Sequence, residues 1–184
     1  DESLNFGTRD FSIVLWVKHA TLSGGGVQGL VEKRAQNSDA RNQEYLIDSS
    51  HDIGTSSGAV RAAISDMSNK HLQPISTFSL NTDWHHIAVV RDSSAQGDRF
   101  HLYIDGVLGD PPGYTPTCPE APTCPSPPSP IDTSNNGDVL LGAETLFLND
   151  LYPYLDRFFN GLSDEVAMFD CPLSQADIQA IMNT

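Results

Sequence analysis

The stretch "FFNGLSDEVAMFDCPLSQADIQAI", Phe158–Ile181, changes its period halfway along. Leu162, Asp164, Val166 and Met168 fall at every second position, which is the pattern of a strand with one face turned to a core. From Ser174 onward the period is helical. Ser174 stands as the N-cap and Asp177 as the third helical residue, so the two form a capping box. Leu173, just before the cap, can staple to Ile178. Ile178, Ile181 and Met182 then make one inward stripe. A strand followed at once by a short capped helix closes the chain.

Working back from this end, the other segments read as strands. "GDVLLGA" is one, and "RFHLYIDG" pairs with "TDWHHIAVVRD" (Thr82–Asp92) as a hairpin. In that segment Trp84, His86, Ala88 and Val90 share one face, while His85, Ile87, Val89 and Arg91 share the other. "LVEKR", "QEYLIDS" and "AVRAAIS" are short alternating runs. "FSIVLWVK" (Phe11–Lys18) is apolar on both alternations, as a strand covered on both sides would be. Many short strands, one helix and no internal repeat give an all-β fold: two packed antiparallel sheets in a single domain spanning 1–184.

Residues 110–130 break the pattern. Nine of the chain's twelve prolines fall there, so the segment is an extended insertion and not sheet. Its Ser, Thr and Pro content suits O-linked sugar or hydroxyproline chemistry. Cys118 and Cys124 flank five of its residues and read as a disulfide formed in an oxidising compartment. Cys171 is left over without an evident partner.

The net charge of −14 argues against nucleic acid, whose backbone is bound by clustered Lys and Arg. No apolar run approaches the roughly 20 residues that span a bilayer. The chain opens on "DESLNFG" without Met or a signal peptide, and so reads as a mature or excised part of something longer.

"LNFGTRDFSIVLWVK", "GLVEKR", "DWHHIAVVRD", "LYIDGVLG", "VLLGAE" and the closing stretch stand in the order and spacing of laminin-G-like, concanavalin A-like domains. The chain resembles that family, which is related to the pentraxins, over nearly its whole length. The resemblance implies a two-sheet jelly-roll sandwich with a short C-terminal helix. It implies an extracellular or cell-surface recognition module, part of a larger protein, that binds glycan or a matrix or surface protein. It also implies a structural calcium ion near Asp164, with Asn160 and Glu165 as weaker ligands. The Pro/Cys insertion departs from the family. So does the lack of the strand that usually precedes "LNFG". That departure, with Cys171 and "SPPSP", leaves open a second reading as a structural domain of an extracellular polymer or cell-surface assembly.

Three expectations about sites follow. His85 and His86 point to opposite faces and so cannot share a metal easily; His86 and Trp84 are expected in the core and His85 at the surface. Asp164 lies on an otherwise apolar face, where a buried carboxylate must be paired or hold a metal. Catalysis is not expected. Its nearest carboxylate pair is Asp164–Glu165, and neighbours on a strand face opposite ways, whereas a glycosidase needs its two carboxylates to converge. Asp48, His51, Asp52, Tyr114 and Tyr154 are surface candidates for ligand contact. "LFLNDLYPYLDRFF" (Leu146–Phe159) is expected as an aromatic-rich loop before the last strand.

Overall fold

The structure is a computed structural model, and the described residues are 4–22, 26–35, 43–50, 58–66, 71–93, 99–110, 131–148 and 152–184. Cys118, Cys124, His51, Asp52, Tyr114 and nearly all of the Pro-rich insertion lie outside them. In chain order the strands are β1 (Phe11–His19), β2 (Val27–Arg34), β3 (Gln43–Ser50), β4 (Ala59–Ser65), β5 (His71–Leu72), β6 (Ile75–Ser79) and β7 (Trp84–Asp92). They continue with β8 (Arg99–Ile104), β9 (Val107–Leu108), β10 (Val139–Leu141), β11 (Glu144–Leu148), β12 (Tyr152–Asp156) and β13 (Gly161–Phe169), and the chain closes with helix α1 (Gln175–Ile181).

The strands form an antiparallel jelly roll. One sheet runs β13-β1-β7-β8-β9; the other runs β10-β2-β3-β4-β5, with β6 also pairing β4. Ile13, Leu15 and Val17 of β1 and Ile87 and Val89 of β7 meet Tyr45, Ile47, Val60 and Ile64 of the opposing sheet in the main core. The other face of β1 and β7 is covered by α1, where Ile178 packs on Val14, Ala88 and Val90. This double cover explains why β1 is apolar on both alternations. The capping box is formed as expected, with the Ser174 hydroxyl accepting from the Asp177 N–H. Leu173, Ile181 and Met182 pack around Ile178.

Trp84 is not in the core. It is 40% exposed, whereas His86 is buried. Both lie on the α1 side of the sheet and not on its inner face. A helix of seven residues is about 10 Å long, so it spans roughly three strand residues. It covers Ala88 and Val90. His86 is closed off by the ring of Trp16, whose centroid lies 5.2 Å away. Trp84 lies past both covers.

Asp164 is not buried either. β13 is an edge strand, and its residues from Gly161 to Glu165 are exposed. The four residues read as one face are divided by a bulge. Between the pairs Val14↔Ala167 and Trp16↔Asp164, β13 uses one residue more than β1, and Glu165 adopts φ +51°. One extra residue flips every side chain beyond it. Val166 and Met168 therefore pack into the main core, while Asp164 and Leu162 join the outer face.

The segment expected as a loop, Leu146–Phe159, is largely the β11–β12 hairpin, in register from Glu144↔Asp156 to Leu148↔Tyr152. Pro153 sits within β12. The hairpin pairs with neither main sheet, so its proline displaces no bond of those ladders.

Candidate functional site

A shallow groove of about 310 Å³ opens on the outer face of the five-stranded sheet, beside the region covered by α1, and is lined by Trp16, Trp84, Asp164 and Glu165. Its volume lies at the low end of small-molecule sites, about 300–1,000 Å³. The groove follows from the register. Trp16 of β1 pairs with His86 on one side and with Asp164 on the other. Trp84 pairs with Lys18, so it stands diagonal to Trp16 on the same face. The chain has two tryptophans, and both line this groove.

The bulge supplies the acids. Adjacent residues of a regular strand face opposite ways, but the left-handed backbone at Glu165 turns its carboxylate to the same groove as Asp164. Asp164 Oδ1 accepts the Glu165 N–H at 2.8 Å. The expectation that Asp164 and Glu165 diverge is thus corrected.

His86 forms part of the groove's backing through Trp16. Burial lowers its ring from the usual histidine range, against the pull of Asp105, which disfavours the charged form. His85 is partly buried at the rim of the sandwich, with Nδ1 2.8 Å from Asp105 and Nε2 2.9 Å from Asn81. Asp105 opens an Asp105–Gly106 turn in which both residues have positive φ, and its other oxygen accepts the His86 N–H. The adjacent histidines therefore anchor a hairpin turn and are no shared site.

Asp164 and Asn160 are both exposed, and the Asn160 N–H donates to Gln28. Among the described residues, no group of three His, Cys, Asp or Glu side chains lies close enough to hold a metal ion. Calcium takes six to eight oxygens, of which the Asp164 and Asn160 side chains would supply a minority.

A second polar assembly lies on the far sheet. Asp48, expected at the surface, is fully buried in β3 and paired with Arg61; Glu32 pairs with Arg34, and Glu144 with Arg157. The β11–β12 hairpin ties onto it, the Thr145 N–H donating to Glu32 at 2.6 Å and Arg34 to the Thr145 carbonyl at 3.0 Å. Burial pushes Asp48 up to about 7 despite Arg61, with Glu144 hydrogen-bonded beside it. Burial likewise raises Glu32. These groups pair with one another and are not among the described residues that line the groove. Tyr154, on β12, is 44% exposed, and Cys171 is exposed and unbonded.

A two-sheet jelly roll with a helix on one sheet is the architecture of lectin-like domains. The chain belongs to the concanavalin A-like lectin/glucanase superfamily, whose laminin-G model matches residues 1–179. No curated protein sequence matches it. Among solved structures it is similar to the CBM40 of a Ruminococcus gnavus IT-sialidase, at TM-score 0.63 and 14% identity, over 96% of this chain and 84% of that one. The same module bound to α2,6-sialyllactose matches at TM-score 0.58 and 14% identity, with the same coverage of both chains. It is also similar to a heptameric SAP-like pentraxin from Limulus polyphemus, at TM-score 0.61 and 11% identity, over 94% and 69% of the two chains. The binding domain of botulinum neurotoxin serotype D matches at TM-score 0.63 and 13% identity, over 100% of this chain and 38% of that one.

Proposed function

We propose that the domain is a non-catalytic recognition module that binds glycan in the Trp16–Trp84 groove, outside the cell or at its surface. One observation carries the reading: both tryptophans stand in one open groove with two carboxylates. Aromatic faces stack on the C–H faces of sugar rings, and carboxylates accept their hydroxyls. Trp84 is 40% exposed, so part of its aromatic surface is open to a ligand. The similar CBM40 module bound to sialyllactose shows that this architecture can carry a sugar site. The extracellular setting rests on the family resemblance and on the Pro-rich insertion.

A glycan array read with the wild type and with Trp84→Ala tests the proposal. Trp84 is 40% exposed and outside the two core clusters, so the variant is expected to fold, with circular dichroism as the control. Removing one stacking ring is expected to weaken binding by about tenfold or more. Retention of the whole binding pattern in the variant contradicts the groove assignment. Release of reducing sugar from a bound glycan contradicts the non-catalytic reading. An array without hits, with self-association of the isolated domain in size-exclusion chromatography, favours a structural domain instead.

Calcium at Asp164 and Asn160 is a separate proposal that rests on the family resemblance. It predicts melting temperatures several degrees apart in calcium and in EDTA, as a native-state ligand produces by mass action. Identical melts overturn it.

A further inference from the structure

We infer that the groove takes a positively charged glycan, one built from amino sugars with free amines; this rests on the glycan reading above. Among the described residues the groove is lined by Trp16, Trp84, Asp164 and Glu165, and both ionisable groups of that lining are acids. One oxygen of Asp164 holds the Glu165 N–H, which leaves its second oxygen and the Glu165 carboxylate to face a ligand.

Tryptophan faces attract cations as well as C–H bonds, so an ammonium held between ring and carboxylate gains from both. His86, behind Trp16, is buried, which disfavours its charged form. Lys18 lies one register step farther along the same face, opposite Trp84 and Leu162, and is not part of the lining. The chain's net charge of −14 adds a long-range field that draws cations in and repels anions. A ligand with a carboxylate, such as a sialic or uronic acid, would place like charges side by side in the groove.

The choice between a cationic and a neutral sugar is tested with one backbone in two forms. The 184-residue chain is titrated by calorimetry with a glucosamine tetramer and with its fully N-acetylated counterpart, at about pH 6, where a free amine is charged. The deacetylated tetramer is expected to bind about tenfold more tightly, and the advantage is expected to shrink as salt is added. Asp164→Asn combined with Glu165→Gln changes only exposed side chains and is expected to level the two affinities, with circular dichroism as the control for folding. Equal or tighter binding of the acetylated tetramer overturns the charge assignment and leaves the glycan reading standing. A preference that survives in the double variant also overturns it, because the charge would then be read elsewhere. Absence of binding by either form, with no hits on the array, overturns both readings.

Discussion

Glu165 carries the most informative backbone angle in the molecule. A glutamate at φ +51° sits in the left-handed region, which costs a non-glycine residue of the order of 1–3 kcal/mol. That conformation brings two neighbouring acids into one groove, so the strain accompanies the arrangement that makes the site. Glu165→Gly is expected to relieve it and to raise the melting temperature or leave it unchanged, since glycine's own entropic cost is about 0.5–1 kcal/mol. The same change removes a carboxylate and is expected to weaken ligand binding. Thermal melts beside titrations separate the effects, and a large drop in melting temperature contradicts the account. Nothing in "LSDEVAM" announces the bulge. Strict alternation put Asp164 with Val166 and Met168, and a one-residue offset was enough to send it to the opposite face. The reading of β7 fared differently. Its two faces were legible from alternation, but which of them met the other sheet, and where α1 stopped covering, were not. Trp84 and His86 share a face, yet one is exposed and the other buried, because cover is set by elements far away in sequence.

At the scale of elements, the β11–β12 hairpin and the far sheet hold a buried charge assembly whose members come from β2, β3, β4 and the hairpin. It brings together Glu32, Arg34, Asp48, Arg61, Glu144 and Arg157. Sequence could not assemble it, since Arg34 and Thr145 are joined across 111 residues. Its pH dependence has a definite sign. Asp48 and Glu32 are raised in the folded state, so the native protein binds protons there more readily than the unfolded chain. For Asp48 this favours the fold at acid pH and is lost as pH rises from about 3.8 toward about 7. His19 works in the opposite direction. Its ring, 2.7 Å from the Ser49 hydroxyl and edge-on to Phe159, is lowered from 6.5 to about 4 by burial and by His85. Its contribution is present above 6.5 and is lost as pH falls toward 4. The two windows overlap and offset each other. Asp48→Asn removes one side of the balance, so its urea midpoint is expected to fall more steeply than the wild type's between about pH 6.5 and about pH 4. Parallel profiles contradict this assignment.

At the scale of the whole molecule, most strands of the two sheets and the closing helix were legible from strand periods, turn residues and the Ser174 capping box, while the order in which the strands pair was not. The groove was not, because it exists only where β1, β7 and β13 lie side by side. Its position is what gives the domain a function to test: it lies on the outer face of the sheet, beside the helix and away from the main core, so a ligand can enter without disturbing that core. The central claim is that this groove, and no other surface, receives the glycan. The chain's two tryptophans make the most direct measurement a simple one, because both line it. In an isotope-labelled sample the two indole N–H resonances report on the site alone. On titration with a glycan selected from the array, both are predicted to shift and to saturate together with the backbone signals of Asp164 and Glu165. A glycan that saturates the protein while both indole signals stay in place would contradict the account.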